Sequence, residues 1–273
     1  MSSVNAKLLD QLRRRQLGRA SFEEAPQVAV ARDVQEVRPY EAVSSLDQIL
    51  SRPGQQPLKL DWNESTIPPS PRVIERILAF LQNSHHLNWY PDLNARKLVT
   101  ALAGYTGRSE EQILVTNGSD DALDLICKTY LDAGERVLLP YPTYTHFLVH
   151  AGARGVYFDP VTYDDPFCGQ PERLINALTG RTKLVYLVNP NNPTGVLFHP
   201  EEIAHLLQQA PRTLFVVDEA YYEFCGVTAA QMVDHFPNLV VTRTFSKSFG
   251  IAGLRVGYVL AHREVIQELR RLH

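Results

Sequence analysis

The chain has 273 residues, of which 44% are hydrophobic, and its formal net charge is −3. This size can bury the core of one large α/β domain or of one and a half. The charge does not favour nucleic acid or an anionic membrane as a partner, and no apolar run is long enough to span a bilayer. The cysteines Cys127, Cys168 and Cys225 form no CxxC pair. We therefore expect no disulfide framework and no metal site, in a reduced cytoplasmic setting.

The first 38 residues are expected to form an extension ahead of the main domain. Residues 8–17 make a short basic amphipathic stretch. A transit peptide could begin this way, but Asp10, Glu23 and Glu24 argue against one, because transit peptides avoid acidic residues. The segment also lacks the apolar core of a signal peptide, so we do not expect secretion.

Strand and helix patterns alternate along the rest of the chain. Apolar runs predict strands at 113–116, 136–139, 156–158, 184–188, 214–217, 239–241 and 257–260. Amphipathic patterns predict helices at 70–81, 94–105, 171–178 and 200–209, and another that begins at 119. Continuous apolar strands are typical of a mostly parallel sheet covered on both faces. We predict an α/β three-layer sandwich, in which ligands bind beyond the carboxyl ends of the strands.

Two strand ends carry groups suited to an anionic aromatic ligand. Ser119 and Asp120 start a helix directly after an Asn-Gly turn, and the free N–H groups of a helix start attract anions. Ser and Asp are also ordinary N-cap residues, and for this motif alone that interpretation is favoured, because most capped helices bind no ligand. In the turn 189–195, two prolines and a glycine hold Asn192, whose amide can donate to a phenolate-type oxygen.

Asp218 and Tyr221 follow the apolar strand 214–217. A carboxylate at that position loses its water, so it needs a cationic partner or becomes protonated. Magnesium is one candidate partner, but the chain lacks the GxxxxGK sequence of a nucleotide-binding loop. A protonated ring nitrogen is the other candidate, and Tyr221 is placed to reach the same ligand.

Lys247 lies in a loop rich in hydroxyl groups and glycine, with Thr244, Ser246 and Arg255 nearby in sequence. Desolvation readily lowers the pKa of a lysine amine, which suits a covalent link to an aldehyde, and arginine suits phosphate. A solvated lysine and a structural ion pair are the ordinary alternatives. Taken together, the strand-end residues match the phosphate, aldehyde, ring nitrogen and ring oxygen of pyridoxal 5′-phosphate (PLP).

Seven segments in order resemble the PLP-dependent fold-type I aminotransferases, most closely the histidinol-phosphate aminotransferases. They are residues 60–64, 90–92, 117–120, 142–144, 189–195, 218–221 and 244–257. The resemblance implies that Lys247, Asp218 and Tyr221 are catalytic. It implies that the cofactor is bound by Ser119, Asp120, Tyr144, Asn192, Asp218, Tyr221, Thr244, Ser246, Lys247, Arg255 and, from the other subunit of a homodimer, Tyr90. It further implies that Tyr40 and Asn63 contact the substrate.

The resemblance also predicts three regions: an arm over 1–38, a PLP-binding domain over 39–262 and the start of a linker helix over 263–273. The family's C-terminal small domain, which grips the substrate carboxylate, is expected to be missing. We therefore expect PLP binding with poor turnover by this chain. The implied reaction is amino transfer between histidinol phosphate and 2-oxoglutarate, in the histidine biosynthesis of the cytoplasm.

Four alternatives stay open on the sequence. A threonine-phosphate decarboxylase and an aromatic aminotransferase share the scaffold, because specificity depends on few pocket residues. A non-catalytic PLP-binding paralogue is also compatible with the motifs. An NTP-driven enzyme that uses Asp218 for metal is disfavoured, since its phosphate loop is absent from the sequence.

Overall fold

A computed structural model of the chain describes residues 30–35, 37, 61–82 and 85–273. Tyr40 and most of the predicted arm lie outside the described residues. The boundaries of the three predicted regions stay predictions.

Seven strands of the described residues form one central sheet. They are β1 (Ile113–Thr116), β2 (Arg136–Pro140), β3 (Tyr157–Val161), β4 (Thr182–Val188), β5 (Leu214–Asp218), β6 (Leu239–Thr244) and β7 (Gly257–Ala261). Their order in the sheet is β1-β7-β6-β5-β4-β2-β3. Only β7 runs antiparallel to its neighbours, β1 and β6. The sheet is therefore mostly parallel, as predicted.

Helices connect and cover these strands. The longer ones are α1 (Pro71–Leu81), α2 (Arg96–Thr106), α3 (Ser119–Tyr130), α4 (His146–Gly152), α5 (Pro171–Ala177), α6 (Pro200–Gln209) and α7 (Arg263–Leu269). Short α-helical segments occur at Arg32–Gln35, His85–Asn88 and Tyr222–Cys225. Short 3₁₀ segments occur at Glu110–Gln112, Ala230–Met232 and Ala252–Leu254.

The sheet is buried on both faces, and β4 shows why its sequence is apolar throughout. Leu184, Tyr186 and Val188 belong to one core cluster, whereas Val185 and Leu187 belong to the other. Neighbouring side chains of a strand point to opposite faces, so a strand covered on both sides has no polar face. Helices α3, α4 and α7 pack on the first face, and α2, α5 and α6 pack on the second. The predicted three-layer α/β sandwich is confirmed.

Several element bounds differ from the sequence predictions. β5 and β6 extend to Asp218 and Thr244, so polar residues end the strands instead of following them. α2 starts two residues later than predicted, because Ala95 adopts a left-handed conformation (φ 46°) at its N-cap. The sequence patterns did not predict α4, which follows a segment rich in aromatic residues and proline.

Helix α1 has its expected N-cap at Ser70 and a proline in its first turn, but none of its residues is buried in the described structure. Large apolar side chains remain exposed on α1 and on the segment that follows it. They are Ile74, Leu78, Phe80, Leu81, Leu87, Trp89, Tyr90 and Leu93. In the described part of the chain, no helix combines the length and the apolar character needed to cross a bilayer.

Candidate active site

A cavity of about 660 Å³ opens at the carboxyl ends of β4, β5 and β6, beside the start of α3. The sheet topology brings most of the predicted site residues to its wall. These are Asn63, Ser119, Asp120, Tyr144, Asn192, Asp218, Tyr221, Thr244, Ser246, Lys247 and Arg255. The cavity is also lined by residues that the sequence reasoning did not assign to the site, among them Asp61, Trp62, Glu64 and His146.

One end of the cavity is built to hold an anion. Helix α3 begins there at Ser119, after Gly118 in a positive-φ conformation (φ 85°). A Cβ on Gly257 would lie 2.5 Å from the Gly118 carbonyl carbon and 2.6 Å from the Ser119 nitrogen, so only glycine lets β7 approach the helix start this closely. Thr244 and Ser246 add hydroxyl groups, which are hydrogen-bonded to each other at 2.9 Å.

Arg255 supplies the positive charge at this end. One of its terminal nitrogens donates to Asp120 Oδ2 at 3.1 Å, and the other donates to Ser246 Oγ at 3.4 Å. The structural ion pair and the predicted anion contact are therefore compatible, because the guanidinium group carries five N–H donors. Like Gly118, Arg255 adopts a positive φ, of 52°.

Asp120 is held as a carboxylate. Burial alone would raise the pKa of Asp120, but hydrogen bonding and charge from His146, the Tyr144 hydroxyl and Arg255 lower the pKa to about 2. The Tyr144 hydroxyl donates to Asp120 Oδ1 at 2.9 Å, and His146 Nδ1 lies 3.3 Å from the same oxygen. The aromatic ring predicted to stack on the cofactor is thus anchored to the helix start.

Asp218 forms the floor of the cavity and is almost fully buried, with 2% of its surface exposed. Its Oδ2 accepts from the Tyr186 hydroxyl at 2.9 Å, and its Oδ1 accepts from the Ala220 backbone N–H at 3.2 Å. No ion pair within 4 Å reaches it from the described residues. Burial raises the pKa of Asp218 to about 6, although the Tyr186 hydrogen bond opposes this. Of the two expected outcomes, the structure favours the second: the buried Asp218 carboxyl group gains a proton more easily than an exposed aspartate does.

Lys247 lines the cavity, and its amine is partly shielded from solvent. Burial lowers the pKa of Lys247, and the carboxylates of Glu64, Asp120 and Asp218 oppose that shift. Its Nζ donates to the Trp62 carbonyl oxygen at 2.6 Å. A lysine with a lowered pKa can supply the neutral amine that attacks an aldehyde or accepts a proton.

The segment that holds Trp62 also reaches Tyr221. Asn63 adopts a positive φ of 50°, and its side-chain amide donates to the Tyr221 hydroxyl at 3.0 Å. The Lys247 Nζ lies 5.7 Å from the centre of the Tyr221 ring. Tyr221 and Lys247, predicted to bind the cofactor, and Asn63, predicted to contact the substrate, are thus brought close to one another, and their roles stay predictions.

Behind the site lies a buried ion pair that the sequence reasoning missed. Arg243 Nε donates to Glu219 Oε2 at 2.9 Å, and both side chains are at most 3% exposed. The Thr228 hydroxyl and the Ala229 N–H also donate to Glu219, and the Tyr222 ring stacks 3.6 Å from the Arg243 guanidinium carbon. The pair ties the residue after Asp218 to the strand that leads to Lys247. The only signal in the sequence was a charged residue inside one motif, Glu219, and another directly before the next motif, Arg243.

Tyr90 does not join the cavity of its own chain. Its side chain is 97% exposed, and it is absent from the cavity wall. Its predicted contact with a second subunit stays a prediction. Among the described residues, no group of His, Cys, Asp and Glu side chains is arranged to hold a metal ion.

The chain is similar to known aminotransferases in sequence. The family model of aminotransferase class I and II matches residues 55–273. The chain is 38% identical to a dihydroxyacetone phosphate transaminase of Campylobacter jejuni over 88% of this chain and 65% of that protein. It is 39% identical to a histidinol-phosphate aminotransferase of Caldanaerobacter subterraneus, over 77% and 60% of the two chains. The chain thus spans less than two thirds of these relatives.

The chain is also similar to a solved aminotransferase structure. The histidinol-phosphate aminotransferase of Sinorhizobium meliloti in complex with PLP superposes with a TM-score of 0.71 at 32% identity. The match covers 78% of this chain and 58% of that one.

Proposed function

Because the chain belongs to aminotransferase class I and II, we propose that it binds PLP in the cavity and carries the cofactor site of a transaminase. One observation carries the proposal: Lys247, with its lowered pKa, shares one cavity with the buried Asp218 and with an anion-binding end. If Lys247 were only a solvated charge, or Arg255 only part of a structural ion pair, neither would need to share a cavity with a buried carboxyl group and an anion-binding helix start. The motif order and the similarity to the PLP-bound Sinorhizobium meliloti enzyme support the same conclusion.

The donor set fits PLP chemically. The N–H groups at the start of α3, the hydroxyl groups of Thr244 and Ser246, and Arg255 suit its phosphate. Asp218 suits a protonated ring nitrogen, and Asn192 and Tyr221 suit the ring oxygen. When bound, PLP supplies an electron sink that stabilises negative charge on a substrate carbon.

The chain's own residues perform the remaining tasks. The Lys247 amine would be the group that holds the aldehyde carbon of PLP, and as a free amine it would accept and return a proton at the substrate carbon. Asp218 keeps its charge when a cationic ring nitrogen lies beside it, because an opposite charge favours the ionised carboxylate. Asn63 orients the Tyr221 hydroxyl through the hydrogen bond at 3.0 Å. The Tyr144 ring, fixed by Asp120, provides a flat wall for the cofactor.

For the substrate, we propose a phosphate-bearing amino compound, with histidinol phosphate first, and 2-oxoglutarate as the amino acceptor. The relative from Caldanaerobacter subterraneus carries that substrate in its name. A dihydroxyacetone phosphate transaminase is the second candidate, because the Campylobacter jejuni relative is similar at nearly the same identity. Both names specify a phosphate-bearing substrate, so phosphate recognition is the shared element.

We further propose a cytoplasmic homodimer in which Tyr90 of one subunit reaches the site of the other. The exposed apolar side chains between Ile74 and Leu93 support this arrangement, because exposed apolar side chains that cluster on a surface mark protein–protein contact sites. Sedimentation velocity tests the dimer. Mixing two inactive variants, one at Tyr90 and one at Lys247, tests the shared site: restored PLP chemistry in the mixture supports it.

The proposed cofactor attachment is tested by borohydride reduction of the protein with PLP, followed by peptide mass analysis. A phosphopyridoxyl group on the Lys247 peptide is the expected result, and attachment spread over several lysines would contradict the proposal. A donor panel of histidinol phosphate, an aromatic amino acid and threonine phosphate, with assay of glutamate and carbon dioxide, then separates a transaminase from a decarboxylase.

A further inference from the structure

Tyr186 is a buried polar residue to which neither the sequence motifs nor the proposed mechanism gives a task. It lies on β4 and is fully buried. Val188 of the same strand pairs with Asp218 in the sheet register, so Tyr186 lies two residues back on the same face. Its hydroxyl reaches forward to donate to Asp218 Oδ2 at 2.9 Å. The Phe147 ring of α4 stacks on the Tyr186 ring at 3.8 Å and 13°, which fixes its orientation.

The Tyr186 hydroxyl can act only as a neutral donor. Burial first, and then the adjacent negative charge of Asp218, raises the pKa of Tyr186 well above its ordinary value. The phenol therefore keeps its proton at any working pH. A hydrogen bond to a charged acceptor is about twice as strong as one between neutral groups.

Two charged groups, Asp120 and Lys247, act on the same carboxyl group from other elements, and Arg255 is part of the same cavity wall. Asp120 at the start of α3 opposes the ionisation of Asp218 by repulsion. The Lys247 amine and the Asp218 carboxylate attract each other, so the amine favours the ionised form of Asp218. Arg255 is engaged by Asp120. The direct hydrogen bond from Tyr186 is thus the main side-chain contribution that offsets burial at Asp218.

We infer that Tyr186 is a positioning residue of the cofactor site, whose buried hydroxyl holds the Asp218 carboxylate ionised and fixed in the cavity floor. The inference rests on the proposed PLP function. Through Tyr186, strand β4 helps to set the charge of the Asp218 carboxylate that faces the ring nitrogen. A carboxylate offers about four acceptor positions, so the two hydrogen bonds from Tyr186 and Ala220 leave acceptor capacity for a ligand.

The test is the dissociation constant for PLP of Tyr186→Phe, measured by fluorescence titration across pH. Loss of one hydrogen bond to the charged form should raise the pH midpoint of binding by about one to two units. PLP should then bind about 3- to 25-fold more weakly than to the wild type at about pH 6.5, and with less than about a twofold difference at about pH 8.5. Tyr163→Phe is the matched control, because the buried Tyr163 hydroxyl has no hydrogen-bond partner among the described residues.

Two further measurements separate the inference from the proposed function. Carboxyl ¹³C NMR of the PLP-free protein, with the Asp218 signal assigned by its loss in Asp218→Asn, should show an upward shift of its midpoint in Tyr186→Phe. In the Asp218→Asn background, Tyr186→Phe should leave the pH dependence of PLP binding unchanged. An unshifted Asp218 midpoint, or an equal effect of Tyr186→Phe in both backgrounds, overturns the inference. If wild-type protein fails to bind PLP while the NMR midpoint shifts, the proposed function fails instead, and the role of Tyr186 is limited to the charge of Asp218.

Discussion

Replacing Asp218 with asparagine should stabilise the PLP-free protein while weakening its affinity for PLP. Burial raises the pKa of Asp218 to about 6, from an ordinary value of 3.8. The folded state thus holds this proton more tightly than the unfolded state. The carboxyl group favours folding at low pH, and that contribution is lost as the pH rises from about 4 to about 6. Above this window, the buried charge costs about 3 kcal/mol of folding free energy.

Asparagine fills the same space without a charge. Its single side-chain oxygen cannot accept hydrogen bonds from both Tyr186 and Ala220 as well as the carboxylate does, which costs about 1 kcal/mol. The free energy of unfolding at about pH 8 should therefore rise by about 2 kcal/mol. For a chain of this size, the melting temperature should rise by about 4–8 °C.

Calorimetry of both proteins without PLP, at about pH 8 and about pH 4.5, measures this effect; the two melting temperatures should converge at the lower pH. With saturating PLP at the higher pH, the wild type should gain more stability than the variant, because only its carboxylate pairs with the ring nitrogen. A lower melting temperature of Asp218→Asn than of the wild type at the higher pH, without PLP, would refute the reasoning about the buried charge.

Three further predictions follow from the site. Arg255→Gln should weaken the binding of inorganic phosphate and of PLP by about tenfold or more, because a charge-assisted contact is lost; competition titration measures both. Arg243→Met should lower the free energy of unfolding by about 3–5 kcal/mol, since it leaves Glu219 buried without its partner, and Glu219→Leu added to it should recover most of the loss in urea unfolding. Asn63→Ala should change the pH dependence of the visible absorbance with PLP while lowering the melting temperature of the PLP-free protein by only about 2–4 °C, because the side chain is exposed but alanine tolerates the positive φ of 50° less well than asparagine.

The sheet and the main site residues could be predicted because both follow from local patterns. A parallel sheet covered on both faces needs continuous apolar strands, and the ligand groups must then follow the strand ends. Asp218, Thr244 and Lys247 were found in this way. The antiparallel direction of β7 could not be predicted, since strand direction depends on how the chain crosses the sheet and leaves no periodic signal.

The supporting contacts could not be predicted for a different reason. Tyr186 has the appearance of any aromatic residue in a buried strand, and only the register of β4 with β5 brings its hydroxyl to Asp218. The Lys247 amine donates to the backbone carbonyl of Trp62. Because every residue has a backbone carbonyl, residue type does not reveal this partner. The pairing of Glu219 with Arg243 joins residues 24 positions apart. Such contacts are properties of the folded chain, and residue type alone does not specify them.

The most direct test of the PLP site is the visible absorbance of the protein with PLP, beside Lys247→Ala, before and after addition of glutamate. The proposal predicts a visible band that is present in the wild type and absent in the variant. Loss of the wild-type band on addition of glutamate would show that this chain also performs the amino-transfer half-reaction, whereas a band that persists would show a cofactor site with poor turnover. A band of equal strength in both proteins, or no band in the wild type, would contradict the assignment of Lys247 and Asp218 to a PLP site.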